Sequence, residues 1–166
     1  MKILVAGIGN IFFGDDAFGC EVIKELAGHT FPEKVRVFDF GIRSYDLAYA
    51  IMDHDVSVLV DALPRGGAPG TVYLIEPDIT ELDETPHEPV NAHSMNPVRV
   101  LQMVRSFGGT PRQLFVVGCE PEILESVDEL GLSATVRDAI PAAIETIHGV
   151  IDKLWAAEKM QSVVNK

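Results

Sequence analysis

Residues 2–20 read KILVAGIGNIFFGDDAFGC, and the parsing of this stretch decides the fold. An apolar run, Ile3 to Ala6, ends at Gly7 and Gly9, passes through Ile11 to Gly14, and meets Asp15 and Asp16 where an amphipathic segment begins. The pattern predicts a first strand, a tight loop and a first helix, with a carboxylate held where the helix starts. Beyond the loop, Phe18, Val22 and Leu26 recur at helical spacing with Ile23 beside them, leaving Glu21, Lys24 and Glu25 for water.

The same alternation continues outward. Val35 to Phe38 is a short β-rich run that finishes at Asp39, followed by Gly41. Ser44 can cap a second helix carrying Leu47, Ala48, Ala50 and Ile51. Val56 to Val60 is nearly all apolar and β-branched, as befits a strand covered on both faces, and it stops at Asp61. Ala62 to Gly70, with two prolines and three glycines, is a loop, and Thr71 to Ile75 a further strand. Glu76 to Asn91 is acidic, contains proline and lacks a period, so it is expected to be a surface loop. His93 precedes a helix from about Pro97 to Phe107, with Asn96 as its cap. Gln113 to Val117 gives another buried strand, ending at Gly118, Cys119 and Glu120. A final helix is expected from near Ser133, with Val136, Ile140, Ile144, Ile147, Ile151 and Leu154 in phase, a kink at Pro141 and fraying after about Ala157. Strands alternating with helices imply a mostly parallel sheet wrapped on both faces, in one domain spanning residues 1–166.

Composition narrows the function. A chain of 166 residues that is 47% hydrophobic can bury a proper core. Its net charge of -12 argues against nucleic acid or an anionic membrane, both of which are bound through lysine and arginine. Two cysteines without metal-type spacing suit free thiols in a reducing compartment, and no secretory signal or membrane-length apolar run is visible. A soluble cytoplasmic protein is expected.

In an open α/β sheet, ligands bind beyond the carboxyl ends of the strands, where strand order reverses. Asp16 lies in the loop leaving the first strand, Asp39 and Asp61 end the second and third, and His93 could be carried to the same rim. Two carboxylates and an imidazole suit a divalent metal such as nickel, zinc or manganese. Plainer roles compete. Asp15 and Asp16 would also complement the positive end of a helix, and for Asp15 that role is preferred. Asp61 could cap a turn, Cys119 and Glu120 are expected to serve packing or turns, and the other four histidines are assigned no site. The glycines only loosely match a dinucleotide fingerprint, because Phe12 falls where its third glycine would stand. No HExxH helix or GxSxG elbow is present.

The chain resembles the hydrogenase maturation endopeptidases, which process the large subunit of nickel-iron hydrogenases. The likeness rests on ILVAGIGNIFFGDDAFG, FDFG around Asp39, VDAL around Asp61, APGTVYLI, His93 in NAHSMNP, and VVGCEPE, in order over nearly the whole chain. It implies a three-layer α/β/α, phosphorylase/hydrolase-like fold with a mostly parallel twisted sheet of about five strands. It further implies removal of a C-terminal extension from the nickel-iron hydrogenase large-subunit precursor after nickel insertion. By the same resemblance Asp16, Asp61 and His93 would be metal ligands, Asp39 a catalytic base or orienting group, and Gly41 a substrate contact. Nickel would be the metal, and the precursor itself could supply it. The first ligand is often glutamate in relatives and is the shorter aspartate here; Phe40 replaces the first of a doubled glycine. Two rival readings are a nickel-loaded-subunit recognition module that hydrolyses nothing, and a peptidyl-tRNA hydrolase-like enzyme, which the acidic balance disfavours.

Overall fold

A computed structural model describes residues 1–78, 97–110, 112–124 and 130–164. Five strands form one sheet in the order β2-β1-β3-β5-β4. They are β1 (Ile3–Ile8), β2 (Val35–Gly41), β3 (Val56–Ala62), β4 (Val72–Ile75) and β5 (Gln113–Cys119). β2, β1, β3 and β5 run parallel; β4 lies antiparallel on the outer edge of β5. Every residue of β1 and β3 is buried, which explains why both are almost uninterrupted apolar runs rather than alternating ones.

The helices divide between the two faces. α1 (Phe18–Leu26) and α5 (Ile140–Val164) cover one face, where Phe18, Val22, Leu26, Ala143, Ile147 and Ile151 pack on Ile3, Val5, Val58 and Val60. α2 (Ser44–Met52) and α3 (Pro97–Ser106) cover the other, where Leu47, Ile51, Val100, Leu101 and Val104 meet Leu4, Ala6, Ile8 and Leu59. The result is the expected three-layer α/β/α arrangement of five strands. Because period-2 alternation sends successive β1 side chains to opposite faces, one strand feeds both cores. Among the described residues, no helix is long and apolar enough to cross a membrane.

α1 sits unusually close to the sheet. A Cβ on Gly19 would stand 2.1 Å from the Val60 carbonyl oxygen and 2.3 Å from that of Ile8, so only glycine lets the first turn of the helix rest on β1 and β3. That contact fixes where the loop before α1, with its two aspartates, meets the sheet.

Four local expectations change. β2 and β3 run past Asp39 and Asp61 to Gly41 and Ala62; in β2 this needs a register shift, with Gly7 opposite Asp39 and Ile8 opposite Gly41. Ser44 is not the cap of α2: Arg43 holds that position and no side chain caps the helix. The last helix is broken, not kinked, into α4 (Ala134–Asp138) and α5, because Pro141 has no N–H for the Arg137 carbonyl and its ring crowds that group. α5 then continues to Val164 instead of fraying after Ala157. Ser133 does cap α4, its hydroxyl accepting from the Val136 amide at 3.3 Å. His93, Asn96 and most of the acidic Glu76–Asn91 loop fall outside the described residues.

Candidate active site

The chain leaves β1 for β2 on one side and returns to β3 on the other, so strand order reverses between β1 and β3. The crevice beyond their carboxyl ends collects the acids. Asp61, the penultimate residue of β3, is only 5% exposed. Burial, reinforced by the negative charge of Asp16, pushes its carboxyl well above the usual range, against a smaller opposing pull from the Ala62 amide.

Asp16 comes from a 3-10 turn, Gly14–Ala17, between β1 and α1. Its Oδ2 accepts the Asn10 amide at 2.7 Å, which folds the loop back on itself. Gly9 makes this possible: at φ +136°, a Cβ there would overlap the Asp16 carbonyl oxygen at 1.8 Å. The Gly9 amide donates to the Gly41 carbonyl at 3.1 Å, tying the β1 loop to the end of β2.

Asp39 stands exposed on the same rim, opposite Gly7 in register. Its Oδ1 accepts the Gly41 amide at 2.9 Å. Gly41 takes a left-handed φ of +54°, and the guanidinium of Arg43 binds the carbonyls of Asp39 and Phe40. The carboxylate is therefore held in one orientation while staying open to solvent.

Cys20 is a member of the cluster that sequence reasoning left aside. It is buried in the first turns of α1, its thiol 3.4 Å from the Gly9 carbonyl. Burial first, then the charges of Asp39, Asp16 and Asp61, push this thiol far above its ordinary value. The available signal was spacing, since Cys20 follows Asp16 by a single helical turn.

Two further acids are bound into the scaffold. Asp15, fully buried, accepts from the amides of Glu122, Ile123 and Ser133 at 2.7–2.8 Å and from the Ser133 hydroxyl at 3.1 Å. It clamps the chain following β5 to the β1 loop. Glu120 accepts the Arg65 amide at 2.8 Å, the Gly66 amide at 3.0 Å and the Tyr73 hydroxyl at 2.9 Å. Although burial opposes it, this set of donors keeps the Glu120 carboxyl below the usual range. Glu120 thereby pins the loop after Asp61, and Leu63 N–H donates to the Cys119 carbonyl at 2.8 Å beside it.

Asp16, Asp39, Asp61 and Gly41 are thus gathered at one rim, while His93 lies outside the described residues. Among the described residues no three His, Cys, Asp or Glu side chains are grouped so as to hold a metal. The chemistry of the donors fits a cation in part: Asp61 is a buried carboxyl whose ionisation the charge of Asp16 opposes, and a nearby cation would relieve that opposition.

An acid-lined crevice at the switch point of a three-layer α/β sheet marks the class as an α/β enzyme acting at its strand ends. A family model described as hydrogenase maturation protease matches residues 20–150. A putative hydrogenase maturation protease of Methanocaldococcus jannaschii is 34% identical, with 91% of this chain and 97% of that one covered. The hydrogenase 2 maturation protease of Escherichia coli is 30% identical over 89% and 88% of the two chains. The structure of the E. coli hydrogenase maturating endopeptidase HybD superposes with a TM-score of 0.76 at 29% identity, covering 92% of this chain and 93% of that one. The chain belongs to the hydrogenase maturation protease family, and as such is a hydrolase of peptide bonds.

Proposed function

We propose that this endopeptidase removes the C-terminal extension of a nickel-iron hydrogenase large-subunit precursor after nickel has been inserted, and that the nickel arrives as part of the substrate. The observation that supports the reading is the Asp16–Asp61 pair: Asp61 is buried where its ionised form is disfavoured, and a substrate-borne cation is what would make that form favourable. Asp16 and Asp61, with His93 from the segment before α3, would complete the coordination of that nickel. Two oxygens and one nitrogen suit it and leave positions for the groups the precursor already supplies.

In this scheme nickel held by Asp16, Asp61 and His93 would supply Lewis acidity toward the scissile carbonyl or an attacking water. Asp39, exposed yet oriented by the Gly41 amide, would accept a proton from that water or align it. Gly41 brings backbone close to the substrate where a side chain would intrude. The protein thereby checks its substrate, because a precursor without nickel presents nothing for the two aspartates and the histidine to grip. Incubation of the purified protein with nickel-loaded and nickel-free precursor, read by mass spectrometry, tests this. Release of the C-terminal peptide only from the loaded form is expected; equal release from both would defeat the checking role.

A further inference from the structure

Ile11 and Phe12 in the β1 loop, Ile42 at the base of α2, and Tyr45 and Tyr49 along it are each more than half exposed. Tyr45 and Tyr49, four residues apart, share one face of α2, and Ile42 lies in the turn just before that helix. The Gly9–Gly41 hydrogen bond joins the loop that carries Ile11 and Phe12 to the turn that carries Ile42. These residues therefore form an apolar band that starts at the acid-lined crevice and leads away along α2. A clustered apolar surface of this kind marks an interaction site.

The band is rigidly presented. Arg43 binds the Asp39 and Phe40 carbonyls and lies over the Phe40 ring, fixing the turn that holds Ile42 outward. Tyr45 and Tyr49 both stack on Phe107, which follows α3. Tyrosines held this way bury much area on binding with little loss of rotamer freedom.

We propose that this band is an exosite for the folded body of the hydrogenase large-subunit precursor, engaged together with the crevice that receives its C-terminal tail. The inference rests on the function proposed above. The occupant is argued from continuity: Asp16 lies in the β1 loop, which the Gly9–Gly41 hydrogen bond ties to the β2–α2 turn, so a protein substrate engaging Asp16 comes against the segments from which the band extends. The partner surface that fits is apolar and aromatic, since the charges nearest the band, Arg43 and Asp46, face each other as an ion pair at 3.8 Å.

The test compares wild type with Ile42→Ser/Tyr45→Ser/Tyr49→Ser and with a control, Leu130→Ser/Met160→Ser, which alters apolar residues exposed elsewhere. Cleavage of nickel-loaded precursor is followed by mass spectrometry at varied precursor concentration, and binding by biolayer interferometry. The band variant is expected to raise KM and weaken binding by about tenfold, with kcat little changed, whereas the control behaves as wild type. Unchanged KM and binding in the band variant would overturn the exosite. So would a wild-type protein that dimerises through the band, seen as a dimer by light scattering that the triple substitution dissociates. Failure of the wild type to cleave any precursor would instead count against the proposed function, and the binding arm would still decide the exosite.

Discussion

At the residue scale, Asp61 links sequence position to chemistry. A carboxyl whose folded-state pKa is raised binds its proton more tightly in the folded than in the unfolded chain. Its contribution is therefore neutral in acid. It becomes a growing penalty as pH climbs from the ordinary carboxylate range through the raised folded value, and levels off above that. In the metal-free protein, Asp61→Asn is expected to raise stability at neutral pH, with a gain that shrinks on acidification; urea unfolding across pH measures it. A gain independent of pH would show that the buried charge is not responsible. The same substitution should abolish precursor processing, since the Asn amide cannot supply an anionic ligand. The thiols give a second residue-scale expectation. Cys20 is pushed far up and Cys119 up to about 11, chiefly by burial, so neither offers thiolate near neutrality. Iodoacetamide at mildly alkaline pH should leave both unlabelled in the native protein and label both in urea, as read by intact-mass spectrometry.

At the element scale, the site depends on two contacts that hold loops to strand ends. Gly19 lets α1 rest on β1 and β3, and Gly19→Ala should cost roughly 3 kcal/mol in chemical denaturation, because the opposing atoms are backbone carbonyls that cannot move aside. Glu120 pins the loop after β3 through the amides of Arg65 and Gly66. Glu120→Gln places an amide group against those donors, so trypsin should nick after the exposed Arg65 several times faster than in wild type, with the sheet retained. Equal nicking rates would mean that the loop is held by other contacts.

Elements also show what the sequence could reveal. β1 and β3 were legible because strands buried on both faces must be apolar throughout, and Asp61 was legible as an acid ending such a run. The extension of β2 to Gly41 was not, since it depends on a register shift against β1 that no local pattern encodes. The break between α4 and α5 was half legible: Pro141 announced a disturbance, but whether a helix bends or divides depends on what packs against it. The roles of Asp15 and Glu120 were hidden for another reason. Their partners are backbone amides more than fifty residues away, and every residue type but proline carries an amide. Cys20 was overlooked because a small buried thiol looks like any core residue until three carboxylates are placed around it.

At the scale of the whole molecule, five strands, two cores and the reversal between β1 and β3 bring distant aspartates to one rim of a chain with net charge -12. In the proposed function, the substrate's nickel would offset the opposition that Asp16 presents to ionisation of Asp61. The most direct measurement is X-ray absorption at the nickel edge of loaded precursor, alone and mixed with a processing-deficient Asp39→Asn protein. Addition of that protein is expected to change the oxygen and nitrogen shell around nickel, and a further Asp16→Asn or Asp61→Asn substitution to prevent the change. A nickel shell left unaltered by a protein that demonstrably binds the precursor would contradict the account.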